Sequence, residues 1–234
     1  MKNESKAKEK TVMCNIYFYD RILKYQNNNK YIIDVLSDYA NELGFNKKTG
    51  IVLSERTGNI PNNDYMTRVH GKYWPKRGLM PSLVIGQSDN IVTPIQIINF
   101  INLIAMKGKT FKPKLILNAE SIPFESKISN YVWNEIQSAM YSVVNDEKGT
   151  AFMMKNNNAN IYGKTGTLQL TALKQSGDSN QNSLFSGYVE KNGEMMSLVV
   201  IIENVDEDSK SILKKISKNI FYYYIENNFS KKGQ

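Results

Sequence analysis

One stretch of nine residues, 161–169, constrains the fold more than any other part of the chain. Its first residues, Ile161 and Tyr162, are of the β-branched and aromatic types that favour a strand. Gly163 and Gly166 then flank a Lys-Thr pair, and a glycine within a strand lets a second backbone approach closely. The stretch therefore predicts a strand at the edge of a sheet, along which an extended peptide can lie and form main-chain hydrogen bonds.

The side chains of this strand predict the kind of ligand. Lys164 places a fixed positive charge beside the edge, and Thr165 and Thr167 provide hydroxyl donors. Together they form a cradle suited to a peptide that ends in a carboxylate. A strand with an exposed lysine and a turn is the alternative interpretation, because short Lys-Thr-Gly strings also arise by chance.

The rest of the pattern predicts an α+β architecture. Residues 184–190 and 195–203 alternate as strands and are joined by Lys191-Asn192-Gly193, and Asn-Gly between two such runs is a strong hairpin signal. The Lys-Thr-Gly strand is expected at the sheet edge, antiparallel to 184–190, which in turn neighbours 195–203. Apolar spacing predicts helices over residues 11–24, 31–43, 95–107, 130–144 and 207–227. An antiparallel sheet with helices packed on it is the fold class expected.

Other segments carry weaker signals. Residues 62–81 are expected to be a long irregular connection, and residues 171–182 a polar loop. Residues 1–10 are interpreted as a disordered lead-in, 11–229 as one partial domain and 230–234 as a tail. The lead-in is charged and is not a signal peptide, and no run approaches the roughly 18 apolar residues of a membrane span. Expressed alone, the chain is therefore expected to stay in the cytoplasm.

Composition narrows the function classes. The 234 residues carry a formal net charge of +8, which comes from scattered Lys and Arg and not from an Arg-rich block, so no nucleic-acid partner is expected. The single cysteine, Cys14, excludes an internal disulfide. The single histidine, His70, argues against a His-rich metal site, and neither a metal nor a cofactor is expected.

The order of these features resembles a known family. The chain looks like the C-terminal part of the transpeptidase domain of a class B penicillin-binding protein, closest to the elongation type. The similarity runs from about residue 11 to about residue 225 and implies the penicillin-binding-protein and β-lactamase-like fold. The matching pieces are Asn15-Ile16-Tyr17-Phe18-Tyr19, Leu43-Gly44-Phe45, Thr49-Gly50-Ile51, Glu55-Arg56-Thr57-Gly58-Asn59-Ile60-Pro61, Ile85-Gly86-Gln87, Thr93-Pro94-Ile95-Gln96, Gly149-Thr150-Ala151, 163–169, Phe185-Ser186-Gly187 and Ile202-Glu203-Asn204.

The resemblance implies a chemistry and a set of partners. In the family, a serine attacks the D-Ala-D-Ala end of a peptidoglycan stem peptide, an amine of a neighbouring stem accepts the acyl group, and β-lactams trap the same serine. The family is membrane-anchored and extracytoplasmic, and elongasome proteins are possible partners.

The family's residue roles carry over to positions of this chain. Lys164 and Asn15 take the catalytic positions, Lys164 setting the local potential and Asn15 holding the substrate amide. Thr165, Gly166 and Thr167 take the substrate-binding positions. The two threonines hold the carboxylate, and the N–H of Thr167 supplies half of the oxyanion hole.

Two departures from the family pattern predict a loss of activity. Met13 stands where the family has a proton-relaying serine, and a thioether cannot relay a proton. The S-x-x-K motif lies upstream of Asn15 in the family, and the chain is expected to begin too late to contain it. The matches at Ser5-Lys6-Ala7-Lys8 and Ser211-Ile212-Leu213-Lys214 stand at the wrong places and are rejected. A smaller departure is Ser88, where the family usually has glycine.

Three functions follow as alternatives. The first is a D,D-transpeptidase domain for cell-wall cross-linking, inactive as given. The second is a non-catalytic module that binds stem peptides or a partner protein through the same cradle. A β-lactamase or D,D-carboxypeptidase is the third and fits the pieces at 55–61 and 85–96 less well.

Overall fold

A computed structural model describes residues 15–25, 32–169, 181–205 and 209–229. The predicted lead-in 1–10, Met13, Cys14, most of the polar loop 171–182 and the tail 230–234 lie outside the described residues. The chain divides into two compact units, and its described residues fall in 15–100 and 109–127 for one unit, and in 101–108 and 128–229 for the other. We call these the helical unit and the sheet unit.

Short helices dominate the helical unit. Their side chains meet in an apolar core that includes Ile33, Met66, Trp74, Met80 and Leu83. The elements are α1 (Asn15–Tyr25), α2 (Ile32–Glu42), α3 (Asn63–His70), α4 (Lys76–Val84), most of α5 (Pro94–Ala105), and the antiparallel pair β1 (Lys109–Phe111) and β2 (Pro123–Glu125).

The prediction that residues 62–81 are irregular is wrong, because α3 and most of α4 lie there. Asn62 caps α3 by accepting a 2.8 Å hydrogen bond from the backbone N–H of Tyr65. Pro75 stands immediately before α4. Both helices are short: α3 buries Met66 and α4 buries Met80 and Leu83. One or two buried positions are too few to form a recognisable helical period in the sequence.

Loops of the helical unit are held together by two buried or half-buried polar side chains. The Glu55 carboxylate accepts hydrogen bonds from the N–H and the hydroxyl of Thr49 and from the N–H of Gly50, at 2.6–2.9 Å. The buried Gln96 amide donates to the carbonyls of Lys47 and Thr57 at 3.0 and 2.8 Å. Motif residues at 49–61 and 93–96 therefore serve the fold of this unit.

The sheet unit contains the strands that the sequence predicts. β3 (Asn160–Gln169), β4 (Gln181–Lys191) and β5 (Glu194–Val205) form one antiparallel sheet in the order β3-β4-β5. Asn192 and Gly193 both have positive φ, +54° and +81°, as the tight turn of a hairpin requires. Within the part of the chain that the structure describes, the predicted edge position of the Lys-Thr-Gly strand and the order of its neighbours are confirmed.

Helices pack against this sheet. α6 (Asn130–Asn145) and α7 (Ser209–Tyr224) enclose a core in which Val144 and Phe221 meet Ile161, Phe185 and Val189 of the sheet. A 3-10 turn at Phe152–Met154 and a π-helical turn at Ile225–Phe229 complete the unit. The α+β prediction is confirmed, since antiparallel strands and packed helices share one core.

The helices of the structure are too short or too polar to cross a membrane. None of them in residues 15–25, 32–169, 181–205 and 209–229 combines the length and the apolar character that a membrane span requires.

Candidate functional site

The strand β3 presents an edge with accessible main-chain groups. Lys164 pairs with Ser186 and Thr165 with Phe185 on β4, and within the described residues no strand pairs with the opposite edge of β3. The carbonyl of Ile161 accepts a 3.0 Å hydrogen bond from the Asn145 side chain of α6 instead of from a strand. Backbone groups alternate in direction along an antiparallel pair, so those at positions 163, 165 and 167 face the same open edge.

Two paired glycines mark the point where β3 and β4 leave no space for an added Cβ atom. Gly163 lies directly opposite Gly187. A Cβ atom on Gly163 would stand 2.6 Å from the Phe185 ring, and one on Gly187 would overlap the carbonyl oxygen of Tyr162. At Gly163 the group that approaches closely is therefore an aromatic ring of the core and not the second backbone that the sequence suggests, whereas at Gly187 it is the backbone of β3.

Lys164 is half-buried, and burial lowers the pKa of its ammonium group. Its Nζ donates a hydrogen bond to the carbonyl oxygen of Thr165. Strand alternation puts this side chain on the face opposite Ile161, whose side chain lies in the helix-covered core. A partly desolvated cation attracts a carboxylate more strongly than an exposed one, because less water screens the pair.

Thr165 shares its site with a residue that sequence reasoning missed. Its hydroxyl oxygen lies 2.9 Å from the hydroxyl oxygen of Thr150. Thr150 is held by the segment Gly149-Thr150-Ala151, in which the buried Ala151 donates from its N–H to the Val143 carbonyl at 3.0 Å. A side chain on Gly149 would collide with that same carbonyl. The sequence could have indicated Thr150, because Gly149-Thr150-Ala151 is one of the pieces that carry the family resemblance.

The other predicted site residues occupy different positions. Gly166 is half-buried and Thr167 is exposed, both on the outer part of β3. Asn15 is exposed and is the first residue of α1 in the helical unit. Its proximity to Lys164 stays a prediction.

Ser211 and Lys214 lie on α7, whose buried Leu213 packs into the core with Ile161 and Phe185. Since Lys164 lies on the other face of β3 from Ile161, α7 covers the face that Lys164 does not use. This agrees with the rejection of that Ser-Lys pair as the nucleophile.

Other polar groups belong to local structure. The Nε2 atom of His70 lies 3.1 Å from both carboxylate oxygens of Asp89. Ser88, the departure from the family glycine, adopts a left-handed backbone with φ +61°. The described part of the chain contains no group of three His, Cys, Asp or Glu residues able to hold a metal ion.

An antiparallel sheet packed with helices and carrying a Lys-Thr-Gly strand at its edge defines a domain of the penicillin-binding-protein and β-lactamase class. The family model for the penicillin binding protein transpeptidase domain matches residues 14–222 of this chain. The chain belongs to this family.

Individual relatives agree. Peptidoglycan D,D-transpeptidase MrdA of Salmonella typhimurium (strain LT2) is 27% identical over 215 residues, which cover 81% of this chain and 34% of that protein. MrdA of Acinetobacter baumannii is 27% identical over 233 residues, which cover 91% of this chain and 33% of that protein. The chain thus spans about a third of the length of these curated relatives.

Solved structures share the fold. In the complex between penicillin-binding protein PBP2 and MreC from Helicobacter pylori, the matched chain has a TM-score of 0.74 at 22% identity, covering 92% of this chain and 40% of that one. Penicillin-binding protein 2B from Streptococcus pneumoniae has a TM-score of 0.74 at 19% identity, covering 94% of this chain and 39% of that one.

Proposed function

We propose that this chain is the substrate-binding part of a peptidoglycan D,D-transpeptidase domain of the PBP2 type. One observation carries the proposal: β3 is an edge strand on which a partly desolvated Lys164 stands next to Thr165, whose hydroxyl lies 2.9 Å from that of Thr150. Such an edge suits an extended peptide with a C-terminal carboxylate, because main-chain pairing is available along it, with a cation on one face of β3 and hydroxyl donors on the other.

The ligand in this proposal is a stem peptide ending in D-Ala-D-Ala. Its backbone pairs with the open edge at positions 163–167, and its carboxylate binds the hydroxyls of Thr165 and Thr167 in the field of Lys164. The N–H of Thr167 contributes to the oxyanion hole, and Asn15 holds the substrate amide. Gly166 leaves the face of β3 beside Lys164 uncovered, because strand alternation would put a side chain at position 166 on the same face as Lys164.

We further propose that the 234 residues as they stand form no acyl-enzyme. Acylation needs a nucleophile activated by an adjacent base. Ser211 is exposed on α7, over the face of the sheet away from Lys164, and Met13 offers no relay hydroxyl. Loss of the serine from a catalytic unit lowers kcat on the order of a millionfold, so residual turnover is expected to be undetectable.

Two measurements on the same protein test both statements. A stem pentapeptide ending in D-Ala-D-Ala is titrated by NMR against the wild-type chain and Lys164→Gln, with Lys155→Gln as an exposed control. Intact mass is then recorded after incubation with a penicillin and denaturation. We expect reversible binding that depends on Lys164 and no gain in mass. If Lys164→Gln binds the peptide as tightly as the wild-type chain, the proposed role of Lys164 in peptide binding is wrong. If a stoichiometric adduct forms on any serine or on Cys14, the proposal that the chain forms no acyl-enzyme is wrong.

A non-catalytic partner-binding module is the second candidate. The β1–β2 connection exposes several large apolar side chains, including Leu115 (58%), Ile116 (55%) and Leu117 (88%), and such patches mark interaction sites. By analogy with the PBP2–MreC complex, we propose an elongasome protein as the partner, met on the extracytoplasmic side of the membrane. If a purified MreC-type protein binds the chain, with affinity reduced in Leu117→Ser, while D-Ala-D-Ala peptides do not bind, this candidate replaces the first.

A further inference from the structure

A polar cavity of about 290 Å³ lies wholly within the helical unit. It is formed by the C-terminal half of α2, the loop around Asn59 and the first two turns of α3. Of the nine residues that line it, Ile60 alone is apolar and four are asparagines, namely Asn41, Asn46, Asn59 and Asn62. Its volume is near the lower limit for sites that bind small molecules.

The walls of this cavity are held in place by main-chain anchors. The hydroxyl of Ser37 and the side-chain amide of Asn46 both donate to the Ile60 carbonyl at 3.1 Å. The backbone of Asn59 exchanges two hydrogen bonds with Ile91, at 2.6 and 2.7 Å. A ligand entering the cavity therefore meets a frame that is already ordered, which reduces the entropy lost on binding.

Several polar groups at the cavity remain available. Among the described residues, the structure gives no hydrogen-bond or ion-pair partner to the Asp64 carboxylate, the Arg68 guanidinium or the Tyr65 hydroxyl. The Arg68 guanidinium lies 5.5 Å from the centre of the Tyr65 ring. This contact orients the guanidinium along the wall without using its N–H donors.

The charges and the donor set define the ligand. Asp64 and Arg68 cancel each other, and one carboxylate and one guanidinium make neither a cation site nor a strong anion site. Each of the four asparagine side chains already makes a hydrogen bond within the helical unit. An amide carries two N–H donors and an acceptor oxygen, so Asn41, Asn59 and Asn62 keep groups that match a ligand carrying many hydroxyls. We propose that the cavity binds a neutral carbohydrate of one or two sugar rings. This inference does not rest on the proposed function, since none of the residues of β3 takes part.

The test uses the full chain and two forms of the sugar. NMR titration measures the affinity for di-N-acetylchitobiose and cellobiose, and cosedimentation measures binding to peptidoglycan glycan strands freed of their stem peptides. Inorganic phosphate is the charged competitor. Arg68→Ala and Asn41→Ala remove cavity groups, Arg77→Ala removes an exposed arginine outside the cavity, and Lys164→Gln reports on the β3 site.

We expect Arg68→Ala and Asn41→Ala to weaken carbohydrate binding by about tenfold and about fivefold, with unchanged thermal unfolding midpoints. Arg77→Ala and Lys164→Gln should bind as the wild type does. Binding to the disaccharides indicates a site for soluble sugars, whereas binding confined to the glycan strands indicates a site for the polymer. Equal binding by all variants, displacement by phosphate, or no binding of any carbohydrate would overturn the proposal.

Discussion

The hydroxyl oxygens of Thr150 and Thr165 lie 2.9 Å apart, although the residues are 15 positions apart in the sequence. Thr150 belongs to a tight segment anchored on the end of α6, and Thr165 belongs to the edge strand β3. The contact occupies one side of the Thr165 hydroxyl, so its other side remains to bind a ligand. The carboxylate site proposed at β3 therefore depends on a second segment of chain.

Replacing Thr150 tests this dependence. Thr150→Val keeps the shape of the side chain but removes the hydroxyl, so the Thr165 hydroxyl loses its fixed partner. We expect affinity for a D-Ala-D-Ala peptide to fall about three- to fivefold, in line with one exposed hydrogen bond of about 0.5 to 1 kcal/mol. Thr150→Ser, which keeps the hydroxyl, should retain most of the affinity. Calorimetric titration measures both, and an unchanged affinity of Thr150→Val would contradict the role.

Gly163 should be the least tolerant glycine of the edge strand. In Gly163→Ala the added Cβ would stand 2.6 Å from the Phe185 ring, and the ring is fully buried and cannot move aside. We expect a loss of about 1 to 3 kcal/mol in the free energy of unfolding. Gly166→Ala is the matched control on the same strand, because its Cβ would find no atom closer than 3.7 Å. Denaturant titration compares the two, and equal losses would rule out the Phe185 contact as the cause.

The lowered pKa of Glu55 predicts that the protein loses stability at acidic pH. Partial burial alone would raise the pKa of this carboxyl, but the hydrogen bonds from Thr49, Gly50 and Ile51 outweigh it and lower the pKa. A lowered folded-state pKa gives stability that is complete above the unfolded-state value of about 4.3 and is lost as the pH falls through the folded-state pKa. The difference in unfolding free energy between wild type and Glu55→Gln should therefore shrink between pH 6 and pH 3. A difference that does not change with pH would exclude Glu55 as the source.

Replacing Ser88 with glycine should stabilise the protein. Its φ of +61° is a conformation that L-residues with a Cβ adopt at a cost, whereas glycine adopts it freely. The hydrogen bond from Ser88 Oγ to Asp89, at 2.9 Å, is exposed and offsets little of that cost. We expect Ser88→Gly to raise the unfolding free energy by about 0.5 to 1 kcal/mol. Ser54→Gly, at an exposed serine without positive φ, should lower it, and thermal unfolding measures both.

Much of the fold could be predicted from residues that are close together in the sequence. The hairpin at Asn192-Gly193 requires positive φ at two adjacent positions, and the residue types alone indicate it. The period of two in β4 and β5 and the period near four in α6 appear within single segments. The edge position of β3 with Lys164, Thr165 and Thr167 followed from the same local pattern, helped by the order of the family motifs. The short helices α3 and α4 did not, because their buried positions are too few to repeat.

The sequence by itself determined which residues carry charge, hydroxyls and turns, since these are properties of side-chain type and of adjacent backbone angles. Tertiary structure alone decided that Thr150 meets Thr165, that burial lowers the pKa of Lys164, and that asparagines from three segments enclose one polar cavity. Distances between residues remote in sequence, and the water removed from around a charge, depend on how the segments pack. No local pattern encodes that packing, so these parts of the site appear only when the chain is folded.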